Sequence, residues 1–295
     1  MTGTALLIAE LVALFFGVTF AIRMFQRRVG DERLRAWMGG SPPVAALKGI
    51  AIGFVTPFCT YSAIPLLVGF RQAGVPVAGY VAFIVAAPVL DPILFGALAI
   101  IVGFPAATTY LVVAFAAAFS LALAAERFDV GRWLKPLPAS LTLEACDGAE
   151  IGAPWGGFAG EAPEAARSAA LLLRSMAPLL LIGVGIGVAI TSFVPTSTAV
   201  RITSVSDAFA IPVAAALGTP LYINTELFVP IADALGTAGV GTGAIIALTI
   251  AGAGANVPEF VLLGRLARLR VVGVLFAYVF AIAIVGGLLA EAIVA

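Results

Sequence analysis

The stretch "TPFCTYSAIP", residues 56–65, lies inside an apolar run, Val44 to Phe70, that is otherwise long enough to cross a membrane. It carries two prolines, four hydroxyls and Cys59, one of the chain's two cysteines. Pro57 and Pro65 lack a backbone donor and their rings clash with the preceding turn, so a continuous helix through this stretch is costly. We read the run as broken there, with Thr60 or Ser62 capping the second half-helix and Pro65 in its first turn.

Composition identifies the solvent. Hydrophobic residues make up 62% of the 295, charged residues 11%, and mean hydropathy is +1.13; a soluble domain has about 45–50% apolar and about 25% charged residues. The apolar runs reach about 20 residues without the alternation of a barrel strand, so each must satisfy its backbone as a helix. The expected fold class is an all-α integral membrane protein, multi-pass, in the cell inner (plasma) membrane with the lipid bilayer around it. Positive charges follow the first span, Thr4 to Ile22, instead of preceding it, so it is expected to be retained rather than cleaved as a signal peptide. Formal net charge is zero with no dense basic tail, which argues against nucleic acid as a partner. With no histidine and two cysteines, we expect no metal site and no cofactor.

The runs fall into two groups: Thr4 to Ile22, Val44 to Phe70, Val77 to Val102 and Ala106 to Ala125, then Ser168 to Thr191, Val205 to Leu235, Gly243 to Leu263 and Val271 to Ile293. Between them, Glu126 to Arg167 holds seven acids and four bases among Gly, Pro and Ala. This divides the chain into a first membrane unit (1–125), a polar linker (126–167) and a second unit (168–295). The units resemble each other. "GFVTPFCTYSAIPLL" (53–67) aligns with "AALGTPLYINTELFVP" (215–230) through a shared Thr-Pro, "QAGV" (72–75) with "TAGV" (237–240), and "PVLDPILFG" (88–96) with "GANVPEFVLLG" (254–264), at offsets of 163, 165 and 166. A long-period duplication in a membrane chain points to a transporter built from two structural repeats.

Basic residues choose the repeat orientation. If all eight runs cross, ten lie inside and five outside; if the second run of each unit is a re-entrant hairpin, fourteen lie inside and only Arg201 outside. The positive-inside rule prefers the hairpin arrangement, which makes the repeats inverted and the linker cytoplasmic.

The other runs break in the same manner. In "VLDPIL" Asp91 is an N-cap candidate with Pro92 at the first helical position; in "INTELF" Asn224 or Thr225 can cap; in "NVPEF" Asn256 and Glu259 have capping-box spacing. Four helix N-termini are thus expected inside the membrane, each with unsatisfied donors and a partial positive charge. Irregular backbone at this depth must be buried in protein or line a wet cavity, so the breaks should meet near the midplane and face a small-molecule substrate. The expected substrate-binding residues are Thr56, Cys59, Thr60, Tyr61, Ser62, Tyr222, Asn224 and Asn256. Glu226, Asp91 and Glu259 are the expected proton-coupling groups, because a carboxyl at this depth is costly unless paired, solvated or protonated. Cys59 beside a helix N-terminus has its thiolate favoured, and a thiolate suits a soft, thiophilic ligand. Each has a plainer role as a cap, a packing residue or an interface anchor.

These motifs resemble those of the ArsP-type permeases, a bacterial inner-membrane family. "TPFCTYSAIPLLVGF" (56–70) is similar to the family's "TPFCSCSxIPLxxGF", and "GTPLYINTELFVPI" (218–231) and "VPEFVLLGRL" (257–266) are similar to its second-half motifs. The resemblance covers roughly residues 44 to 292 and implies an efflux permease; characterised members export trivalent organoarsenicals such as methylarsenite. Two positions depart from the pattern. Tyr61 stands where many members have a second cysteine, and Asp91-Pro92 where many have Asn-Glu.

The leading expectation is a secondary transporter effluxing a thiophilic solute by ion- or proton-coupled alternating access. A permease for a small anion held at the helix N-termini is the alternative. An intramembrane enzyme lacks histidine as the usual base, no catalytic residue is assigned, and a passive channel is the remaining class. No phosphate-binding loop of the GxxxxGK[ST] type occurs.

Overall fold

A computed structural model describes residues 31–55, 60–136, 157–171, 173–174, 207–219 and 239–294, with isolated positions between 13 and 28 and between 231 and 236. Thr56, Cys59, Tyr222, Asn224 and Glu226 lie outside the described residues. The described chain is helical: α1 (Asp31–Met38), α2 (Pro42–Val55), α3 (Thr60–Gln72), α4 (Val77–Val89), α5 (Pro92–Ile101), α6 (Phe104–Arg127), a 3-10 turn (Val130–Trp133), α7 (Asp207–Gly218), α8 (Thr242–Gly254), α9 (Val257–Leu266) and α10 (Leu269–Val294). Residues 158–171 are also helical, beginning ten residues before the apolar run that starts at Ser168.

By length and apolarity, four of these stretches can cross a bilayer: Val77–Ile101, Phe104–Arg127, Thr242–Val261 and Leu269–Val294. The chain is a multi-pass membrane protein. Its hydroxyls are handled as the bilayer requires: Thr108, Thr109 and Ser120 on α6 donate to the carbonyls of Phe104, Pro105 and Ala116, one turn back.

Small residues let the helices approach. On α2, Gly49 and Gly53 face α4, where a β-carbon on Gly53 would lie 2.9 Å from Ala86 Cβ. On α7, a β-carbon on Gly218 would lie 2.6 Å from the Leu248 carbonyl oxygen of α8. Lipid tails are as apolar as leucine, so association rests on such close packing rather than on apolar burial. Phe70 and Phe83 meet edge to face at 5.4 Å in the core where α3 joins α4.

The element bounds recur at one spacing. The starts of α4 and α8 (77 and 242), α5 and α9 (92 and 257), and α6 and α10 (104 and 269) each differ by 165 residues. Gly53 and Gly218 obey the same interval, as do the turn glycines Gly74 (φ +71°) and Gly239 (φ +80°). Pro92 therefore matches Val257 in position, and Asp91 matches Asn256; the sequence alignment at 166 had paired Pro92 with Pro258 instead.

Two ends of the bundle can be told apart by contacts. Arg71 Nη2 donates to the Lys135 carbonyl at 2.9 Å, Lys135 N to Leu266 O at 2.9 Å, and Arg268 N to Trp133 O at 3.2 Å. The Arg268 guanidinium also sits 5.8 Å from the centre of the Trp133 ring. The end of α3, the turn after α6 and the α9–α10 connection thus lie together. Burial holds the Arg71 guanidinium below the ordinary arginine pKa. Helices α6 and α10 run antiparallel, with Ser120 Oγ 2.8 Å from Tyr278 Oη and Val113 beside Gly286. The start of α6 and the finish of α10 therefore lie at the opposite end. Ile101 adjoins Gly236 there, and Glu291 adjoins Gly241.

Candidate functional site

Two helix breaks lie where the sequence places them. Helix α4 stops at Leu90, whose backbone (φ −96°, ψ 46°) leaves the helical region, and α5 restarts at Pro92. The missing bonds find partners locally. Asp91 caps α5, its Oδ1 accepting from Ile93 N at 2.8 Å, and Pro92 at the first position sacrifices no donor that was needed. Because Ile93 N is turned to Asp91, the Val89 carbonyl loses its helical partner. Tyr110 of α6, fully buried, donates its hydroxyl to that carbonyl.

The second break has the same plan with different chemistry. Helix α8 stops at Ala255 (φ −130°, ψ 35°), and Asn256 caps α9, its Oδ1 accepting from Glu259 N at 2.9 Å. Asn256 Nδ2 donates to Ala253 O at 3.1 Å and to Glu259 Oε2 at 3.2 Å. Both side chains are buried, Asn256 at 1% and Glu259 at 4% exposure. The capping-box spacing is realised in its first half: the cap accepts from the third helical amide, while the Glu259 carboxylate is held by the cap's own amide group.

The breaks adjoin. A β-carbon built on Gly254 would stand 2.6 Å from Val89 Cγ2, so the last residues of α4 and α8 are in contact. Asp91 and Asn256 each follow that contact by two residues, and from them α5 and α9 set out as new helices. Of the expected site residues, Asp91, Asn256 and Glu259 are thereby brought to one region. Thr60, Tyr61 and Ser62 are the first described residues of α3 and are helical.

Tyr110 was missed by the sequence reading. A single tyrosine in an alanine-rich span is a usable signal, since its hydroxyl must find an acceptor at membrane depth and a broken neighbouring helix supplies one.

The family model ArsP_1, described as predicted permease, matches residues 2–292. The chain belongs to the ArsP_1 family. Comparison with curated proteins and with solved structures returned no match. Membership of a permease family, with these membrane helices, implies a small-molecule substrate and a lipid bilayer. The family assignment favours transport over catalysis.

Proposed function

We propose that this protein is a secondary transporter of the inner membrane that exports a small thiophilic solute, such as a trivalent organoarsenical, by ion- or proton-coupled alternating access. The observation that carries the reading is the contact of Val89 with Gly254, which brings two interrupted helices, and two new helix N-termini, to one region of the bilayer. Interrupted helices joined at an internal repeat interface are the usual seat of a transporter's substrate and coupling ion.

The repeats are residues 1–125 and 168–295, inverted with respect to each other, with 126–167 a cytoplasmic linker. The recurrence at 165 residues supports the duplication. The inversion is supported by the ends: α4 starts where α6 finishes, α8 starts where α10 finishes, and those two finishes lie at opposite ends. Placing Arg71, Lys135 and Arg268 together at one end also matches the positive-inside arrangement that favours re-entrant second segments.

Asp91, Glu259 and Glu226 are the coupling candidates, and Cys59 is the soft ligand, with Thr56, Thr60, Tyr61, Ser62, Tyr222, Asn224 and Asn256 around the substrate. The thiophilic substrate class rests on Cys59 and on the family resemblance. If no soft ligand is bound, a small anion at the helix N-termini is the alternative.

A thermal-shift screen in detergent tests the reading, comparing methylarsenite, other thiophilic metalloids and small anions. Stabilisation by RT ln(1 + [L]/Kd) is expected for methylarsenite. A shift with anions alone replaces the substrate class, and no shift with any of them contradicts the reading.

A further inference from the structure

Neither broken-helix unit is capped by its own sequence at its outer end. Pro76 and Gly241, the residues before α4 and α8, make no side-chain cap. Each start is instead held by a carboxylate from the last turns of a long helix: Glu126 Oε2 of α6 accepts from Ala78 N at 2.8 Å, and Glu291 Oε2 of α10 accepts from Gly243 N at 2.6 Å. The donors differ by 165 residues and so do the acceptors, and the two contacts lie at opposite ends of the bundle. Amides in a first helical turn have no partner within the helix, so a carboxylate there gains both a charge-assisted hydrogen bond and the helix dipole.

We propose that Glu126 and Glu291 are paired positioning residues, each clasping the outer end of one broken-helix unit to the long helix and so fixing where its central break sits. Without the clasp, α4 or α8 is free to slide along its neighbours, and the break at Leu90 or Ala255 moves with it. The clasp stands on the hydrogen-bond geometry alone; its importance for transport rests on the function proposed above.

Amide hydrogen exchange on the full chain in lipid nanodiscs, with methylarsenite uptake into everted vesicles as a second readout, tests this. Glu126→Ala is expected to raise exchange at residues 78–82 about tenfold while leaving 243–247 as in wild type, and Glu291→Ala to do the reverse. Glu126→Gln and Glu291→Gln keep a carbonyl acceptor and should exchange within about threefold of wild type. Uptake should fall in the alanine variants and largely persist in the glutamine ones. Unchanged exchange, or loosening of both ends by either variant, overturns the clasp; loosened exchange with full uptake overturns its positioning role. Should an alanine variant fail to insert, the aspartate variants, shorter by one methylene, must still loosen only their own end, and unchanged exchange in them overturns the clasp. If wild type takes up no methylarsenite while the exchange pattern holds, the clasp stands and the substrate reading fails.

Discussion

Val89 occupies the space that a side chain on Gly254 would need: Val89 Cγ2 lies 2.6 Å from where that residue's β-carbon would be. The two breaks touch because residue 254 has no side chain. Gly254→Ala should therefore push α4 and α8 apart and destabilise the fold by about 1–3 kcal/mol, the usual cost of overpacking. Thermal unfolding in detergent reads this. Val89→Ala in the same chain should recover part of the loss, and an unaltered midpoint in the single variant would show that the contact is not tight.

Tyr110 should behave as a structural anchor of the first break. Tyr110→Phe keeps the ring but leaves the Val89 carbonyl without its donor, at a cost of about 1–3 kcal/mol for an unsatisfied buried acceptor. The unfolding midpoint should fall by more than for Tyr278→Phe, whose hydroxyl lies in a less buried position between α6 and α10. Equal effects would mean that the Val89 carbonyl is satisfied in some other way.

The caps separate stability from coupling. Asp91→Ala and Asn256→Ala should each cost about 1 kcal/mol through loss of the cap. Asp91→Asn retains an acceptor for Ile93 N but cannot titrate. If Asp91 carries the coupled proton, the asparagine variant keeps its stability and loses the dependence of uptake on a pH gradient; Glu226→Gln and Glu259→Gln, measured alike, identify the carrier among the three. Gradient dependence preserved in all three removes carboxyl coupling.

If the Cys59 sulfur contacts a thiophilic substrate, Cys59→Ser replaces a soft, readily ionised ligand with a hydroxyl that stays protonated at neutral pH. Uptake of methylarsenite into everted vesicles should fall about tenfold or more, with expression and insertion unchanged. Tyr61→Cys adds the second thiol that the family resemblance implies and, if the substrate is an arsenical, should tighten its binding. A silent Cys59→Ser together with no gain from Tyr61→Cys shifts the substrate to an anion.

The breaks at Leu90 and Ala255 were legible because proline, Asp and Asn are strong punctuation in an otherwise apolar run: Asp91-Pro92 and Asn256-Val-Pro-Glu259 each spell a helix start. What was not legible was whatever depends on a distant residue. Nothing near Val89 announces Tyr110, and nothing near Pro76 or Gly241 announces Glu126 or Glu291, since each partner lies 21 or 48 residues away on another helix. The QAGV and TAGV stretches carry the true interval of 165, whereas matching Pro92 with Pro258 overshoots by one because these prolines occupy successive positions of the first turn, where proline costs little.

If the two halves face opposite ways across the bilayer, their breaks converge from opposite sides. A cysteine placed at Ser140, with Cys59 and Cys146 replaced, reads this orientation directly by labelling with a membrane-impermeant thiol reagent. Opposed halves put the linker in the cytoplasm, so Ser140→Cys should stay unlabelled in intact cells and react fully once the membrane is permeabilised; labelling in intact cells would put the linker outside and contradict the inverted arrangement.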